Sequence, residues 1–265
     1  MGAVSAVVEG SAASARTNVE RFGAREWEAR CDLAAAFRLA ALFGWTDMLG
    51  THFSLRVPGT SSEFLINPFG LLFEEITASS LIRIDADGNK LSESPYMVNR
   101  AGFVIHSALH LGRADAHCVM HCHTRDGAAV SMQKCGLLPA SQRALTLGPL
   151  LRYHDYEGVA VDMAERASLQ RDLGDGALLI LRNHGTLTVG GGVGEAFYRM
   201  YKLEQACSLQ IAALSGGGEL YPINQNVVAK APGQVAQVAS AGHMDDLVWS
   251  ALKRKLARAG IDCAV

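Results

Sequence analysis

The stretch ADAHCVMHCHTRDGAAVSMQ, residues 114–133, decides how this chain is read. Ala116–His123 is a short apolar strand, and from Thr124 to Gln133 the pattern becomes helical, so a strand feeds directly into a helix. In a strand, residues i and i+2 point to the same face. His121 and His123 therefore project together from the strand end, while Cys122 turns the other way. A second strand end carries a third imidazole. Ala177–Arg182 and Thr186–Val189 are strands flanking Asn183-His184-Gly185, where Gly185 is expected to allow the sharp turn that presents His184.

Around these two strand ends the pattern alternates between strand and helix. Ala24–Phe43 has helical periodicity and few breakers. Thr51–Val57 and Glu63–Asn67 are strands around a Pro58-Gly59 turn, and Leu81–Asp85 begins a hairpin at Asp87-Gly88. Asn99–Leu111 is a helix, and Val193–Leu214 is the longest helical stretch, stopped by Ser215-Gly-Gly-Gly218. Mixed strands and helices predict an α/β fold, a three-layer α/β/α sandwich. The expected organisation is a loose tail at 1–23, one domain at 24–218 and an extension at 219–265 that covers a neighbouring subunit or the chain's own site.

Composition narrows the functional classes. The chain has 265 residues, 49% of them hydrophobic, enough for a sizeable packed core. Its 24 basic and 26 acidic residues leave a net charge of −2, and no long basic run marks a nucleic-acid surface. The densest basic patch, KRKLAR at 253–258, is the solvated face of a terminal helix. Six scattered cysteines without a CxxC pair predict reduced, mostly buried thiols. The first residues lack the n- and h-regions of a signal peptide, and no apolar run reaches the ~18 residues of a membrane span. The expectation is a cytoplasmic protein with no nucleic-acid or membrane partner.

His121, His123 and His184 are the expected ligands of one divalent metal ion per subunit, zinc first, with manganese or iron as alternatives. Three neutral nitrogens leave the cation its charge and an open position, the arrangement of a catalytic rather than a structural site. His106 and His110, four apart on a helix, form a rival pair at a spacing that also faces one metal. There Ser107 stands where helical metalloenzymes carry a glutamate. His117, His154 and His243 have no partner at a ligand-like spacing and are taken as ordinary.

Five linked segments carry a resemblance to a known family: WTDMLGTHFSLR (45–56), INPFGLLFEEITASSL (66–81), NRAGFVIHSALH (99–110), ADAHCVMHCHT (114–124) and LLILRNHGTLTVG (178–190). In this order they resemble the class II aldolase/adducin family over about Glu26 to Leu214. The resemblance implies an α/β/α sandwich and a homotetramer of C4 symmetry with active sites at subunit interfaces. It also implies zinc held at the positions of His121, His123 and His184. Two departures stand out. The sugar-phosphate aldolases of the family carry Ser-Ser-Glu, the Glu being the acid/base, where this chain has Arg100, Ala101 and Gly102. A family Asn falls at His52, and a Thr-Gly pair falls at Phe69 and Gly70. A phosphate needs several small donors close by, so a sugar phosphate is not the expected substrate.

The substituted positions suit another ligand. Arg100 is expected to hold a carboxylate in a bidentate pair, with Phe69 and Gly70 beside an apolar or aromatic body. His52 or His106 would handle the proton, the latter lying one helical turn after Gly102. Tyr156 and Glu157 would reach an adjacent subunit's site. The leading expectation is a metal-dependent carbon–carbon lyase, a retro-aldolase or decarboxylase. The alternatives are a non-haem Fe(II) oxygenase of aryl-keto acids on the same three histidines and a non-catalytic, adducin-like interaction module.

Overall fold

The structure is a computed structural model that describes residues 17–158, 165–240 and 244–264. Helix α1 is Ala24–Leu42, followed by strands β1 (His52–Arg56), β2 (Glu63–Ile66) and β3 (Ile82–Asp85). Helix α2 (Arg100–Gly112) leads into β4 (Cys118–Cys122), α3 (Arg125–Ser131) and α4 (Gln142–Leu147). Then come β5 (Leu151–His154), α5 (Glu165–Leu173), β6 (Leu178–Leu181) and β7 (Gly185–Gly190). Helices α6 (Val193–Ser215), α7 (Gln225–Ser240) and α8 (Met244–Arg258) close the chain.

The seven strands form one sheet in the order β3-β2-β1-β4-β7-β6-β5. Every neighbouring pair is antiparallel except β5 and β6, which are parallel. A parallel pair needs a crossover, and α5 supplies it. Strand β5 is absent from the sequence reading because it is four residues long at the sheet edge and only His154 is buried.

Alternation along β4 separates two cores. Cys118, Met120 and Cys122 pack with Phe37, Phe53, Phe197 and Met200 on the α1/α6 side. Val119 packs with Ile105, Leu109 and Leu169 on the α2/α5 side. Helices therefore cover both faces, the three-layer arrangement expected from the mixed pattern. The rings of Phe37, Phe53 and Phe73 meet at 4.7–5.2 Å in the first core. Burial of each such ring contributes about 2–3 kcal/mol relative to exposure.

Helix α1 is buried on several sides, and its alanine run 34–36 suits both close packing and helix propensity. Arg30 in α1 is fully buried. It pairs with Glu26 at 2.9 Å and donates to the carbonyls of Ala78 and Leu81.

Residues 17–22 are helical and Phe22 stacks on Trp27 at 5.8 Å, while 1–16 lie outside the described residues. In the C-terminal segment, Trp249 and Leu256 of α8 bury into the α1/α6 core, and KRKLAR lies on the same helix with Lys253 paired to Asp32. The six cysteines are all free. Among the described residues no helix is long and apolar enough to cross a membrane.

Candidate metal centre

The three imidazoles singled out in the sequence converge. Ring centroids lie 4.5 Å apart for His121 and His123, 4.7 Å for His121 and His184, and 4.8 Å for His123 and His184. One ligand nitrogen from each falls within 4.8 Å of the others. Two of the rings have their tautomers set by neighbours. His121 Nδ1–H donates to the Thr186 carbonyl at 2.9 Å, and His123 Nδ1–H donates to Asp47 Oδ2 at 2.9 Å. In the neutral rings each Nε2 is then a bare lone pair, and the two face each other at 2.7 Å. Two lone pairs at that distance repel, and either a proton shared between them or a metal ion against both relieves it. The donor set could hold a divalent metal with nitrogen affinity, and the Asp47 and Thr186 contacts are of the kind that orient metal-binding imidazoles.

The electrostatics favour the ligand form. Burial, reinforced by His52, His184 and His123, holds His121 well below the ordinary imidazole range. Burial and the neighbouring His123 and His154 push His184 down to about 4. Neutral rings bind metal without first losing a proton.

Local sequence explains the placement. Asn183 takes the left-handed conformation at φ 58°, which Asn tolerates better than most residues, and so turns His184 toward the site. The turn is thus made by Asn183, correcting the expectation for Gly185. Gly185 serves close approach instead: a Cβ there would come 2.4 Å from the Cys122 carbonyl oxygen. Gly50 does the same for Asp47, since a Cβ on it would stand 2.8 Å from Oδ2. Beneath the site, Thr186 Oγ1 donates to the buried Glu204 carboxylate at 2.6 Å, and Thr124 Oγ1 also donates to it. Burial raises the Glu204 pKa against those two hydroxyls.

His52 and His106 lie together next to the three converging imidazoles. His52 is paired with His121 across β1 and β4, with ring centroids 5.2 Å apart, and its Nδ1 is 2.8 Å from His106 Nε2. Burial first, then His123 and His184, push His52 down to about 3. The rival pair is bridged by a hydroxyl. His106 Nδ1 and His110 Nε2 both bond Ser54 Oγ, at 2.6 and 2.7 Å, so the hydroxyl of β1 occupies the place an ion would need.

Phe69 is half-buried and clipped by its backbone to Met97 at 2.9 Å, and Gly70, with φ 119°, has the Tyr96 ring beside it. Arg100 opens α2, and its side chain lies outside the described residues, as does His243.

Two further groups border the site. His154 is 3% exposed, donates from Nδ1 to Asp172 at 2.8 Å, and shares a small cleft with His184, Tyr156, Glu165 and Arg182. Its partner Asp172 comes from α5, a pairing that spacing along the chain does not reveal. The Tyr156 ring stands 6.4 Å from His184 of its own chain. Asp47, Ser54 and Asp172 are hydrogen-bonded neighbours of these histidines that the sequence reading missed. The first two lie inside the 45–56 segment, where only their position two or five residues from His52 marked them.

Comparison with known proteins places this geometry. Residues 31–211 match the family described as class II aldolase and adducin N-terminal domain. An aldolase II superfamily protein from Pseudomonas syringae is similar at 50% identity and a TM-score of 0.86, covering 92% of this chain and 97% of that one. An L-fuculose 1-phosphate aldolase from Glaciozyma antarctica is similar at 25% identity and a TM-score of 0.76, over 92% and 94% of the two chains. Rattus norvegicus alpha-adducin is 48% identical over 192 residues, 71% of this chain but 26% of its own length.

Proposed function

The chain belongs to the class II aldolase and adducin N-terminal domain family, and from that premise we propose that it is a divalent-metal-dependent carbon–carbon lyase. The observation that carries the reading is the convergence of His121, His123 and His184 with two of their Nδ1 atoms already committed to Thr186 and Asp47. A divalent cation held there would supply Lewis-acid stabilisation of the enolate-like charge that develops as the bond breaks.

The chain's own residues do the rest. Gly102 has no group that moves a proton, and the His52 ring stands beside it, so His52 with His106 behind it handles the proton in this reading. Replacement of small donors by Phe69 and His52 disfavours a phosphate and supports a non-phosphorylated, apolar or aromatic body. Arg100 would receive its carboxylate. Retro-aldol cleavage and decarboxylation both fit, since both leave an electron pair on carbon that an electron sink must accept. The working unit is read as a homotetramer with sites at subunit interfaces.

The test is metal quantification on protein purified without added metal, paired with His121→Ala. Stoichiometric zinc, manganese or iron in the wild type and its loss in the variant, together with loss of lyase activity on aryl-substituted hydroxy or keto acids, is the expected result. Metal retained by the variant would overturn the ligand set. Oxygen consumption with iron bound would move the reading to an aryl-keto acid oxygenase, for which the relatives above give no support.

The likeness to alpha-adducin favours one further reading, a non-catalytic interaction module. It predicts protein that purifies without metal and whose thermal stability does not change with chelator.

A further inference from the structure

Behind the His52 ring runs an unbroken series of hydrogen bonds that ends on a backbone carbonyl. His52 Nδ1 meets His106 Nε2 at 2.8 Å, and His106 Nδ1 meets Ser54 Oγ at 2.6 Å. Ser54 Oγ meets His110 Nε2 at 2.7 Å, and His110 Nδ1 meets the Ala116 carbonyl at 2.7 Å. All four side chains are buried, between 1% and 4% exposed. The His110 ring is also stacked on Phe64 at 4.7 Å, which fixes its plane.

The carbonyl sets the direction of the whole series, because it can only accept. His110 Nδ1 must carry the hydrogen. Burial pushes His110 down to about 3 and His106 well below its ordinary range, so both rings are neutral and carry one hydrogen each. His110 Nε2 is then bare and takes the Ser54 hydroxyl hydrogen. Ser54 Oγ in turn accepts from His106 Nδ1–H, which leaves His106 Nε2 bare to accept from His52 Nδ1–H. The opposite polarity would set the His110 Nδ1 lone pair against the Ala116 carbonyl oxygen. A buried mismatch of that kind costs about 1–3 kcal/mol.

We infer that Ser54, His106 and His110 are positioning residues that lock His52 in its Nδ1–H tautomer, so that a bare Nε2 faces the Gly102 side of the site beside His121. The geometry agrees at the His52 end of the series. A Cβ built on Gly102 would stand 2.6 Å from His52 Nε2, so the absence of a side chain at 102 is what leaves that nitrogen uncovered. His52 is thereby set as a proton acceptor and not a donor at the start of a turnover. That role rests on the proposed function; the tautomer itself follows from the chain's own hydrogen bonds.

The test is two-bond proton–nitrogen correlation of the imidazole rings in ¹⁵N-histidine-labelled protein at neutral pH. It is run zinc-loaded and metal-free, with signals assigned by their loss in His52→Asn and His106→Asn. The expected spectrum shows His52, His106 and His110 all protonated on Nδ1 and bare on Nε2. In Ser54→Ala, His110 keeps that pattern while His106 and His52 become tautomer mixtures; Ser54→Thr, which keeps the hydroxyl, restores the wild-type pattern. A wild-type His52 protonated on Nε2, or a folded Ser54→Ala protein with an unchanged His52 signal, would overturn the inference. If Ser54→Ala does not fold, the wild-type spectrum alone decides. Failure of the metal assignment is read separately, from metal content, and leaves the metal-free spectrum as the test.

Discussion

The imidazole of His52 occupies the volume that a side chain at Gly102 would need: a Cβ on residue 102 would approach His52 Cδ2 to 2.5 Å. Gly102→Ala should therefore destabilise the fold. Alanine in a helix interior gains about 1 kcal/mol over glycine, but overpacking against a buried ring costs about 1–3 kcal/mol, and the ring here is tied to His106 and cannot swing away freely. A double-mutant cycle with His52→Ala checks this by urea denaturation. The expected outcome is a favourable coupling of 1 kcal/mol or more, by the order of ~0.5–3 kcal/mol seen for touching residues; additive effects would mean the two positions do not compete for space.

Asp47 holds His123 through Nδ1, so Asp47→Ala should weaken zinc binding roughly 10–100-fold with the three ligands untouched. Gly50→Ala should act in the same direction, because its new Cβ would displace the Asp47 carboxylate. Competition against a chromophoric chelator measures both. Unchanged affinity in Asp47→Ala would remove Asp47 from the metal centre.

Acid should unfold the metal-free protein through its buried imidazoles. An unfolded imidazole takes a proton below about 6.5, whereas His52 and His110 resist protonation down to about 3 in the fold. The unfolded chain binds more protons throughout that window, so stability is present above ~6.5 and lost as pH falls toward 3. Each group contributes a loss of about 2 kcal/mol by pH ~5. Denaturation midpoints measured from pH ~7 downward check this, and a flat profile to pH ~5 would contradict it.

Glu204 works in the other direction. Burial raises its pKa above that of an unfolded glutamate, so its contribution is fully present in acid and diminishes as pH rises through the folded value. Glu204→Gln keeps the size and most of the bonding to Thr124 and Thr186 without the buried charge. Relative to wild type it should gain stability between pH ~4 and pH ~7, as read from denaturant midpoints. A variant that loses stability over that interval would show that the ionised carboxylate is what Thr124 and Thr186 require.

Much of the fold, and the meeting of three histidines, is legible in the sequence. His121, His123 and His184 could be chosen because strand alternation and strand ends are properties of short sequence windows. The long helices at Ala24–Leu42 and Val193–Ser215 appeared within a residue or two for the same reason. What could not be read was anything that depends on distant elements meeting. Ser54 is a small polar residue between Phe53 and Leu55 until α2 brings His106 and His110 to it, and His154 is a lone histidine until α5 supplies Asp172. The helical rival pair could not be settled, because four-residue spacing states that two rings share a face, and not what stands between them. Gly185 misled because a glycine needed for lack of bulk and one needed for its dihedral freedom look the same in sequence; only Asn183 has the positive φ.

The division of β4 between two faces has a consequence for how this protein can change. Since Cys118, Met120 and Cys122 fill one interior and Val119 and His121 serve the other, inserting or deleting one residue in the strand would exchange the two sets at once. Thiols would arrive where nitrogens are required and imidazoles would be driven into hydrocarbon. The histidine cluster is thus open to variation by single replacement but closed to variation by length, and any loss of pairing between β4 and β7 would scatter the imidazoles and undo the packing in the same event.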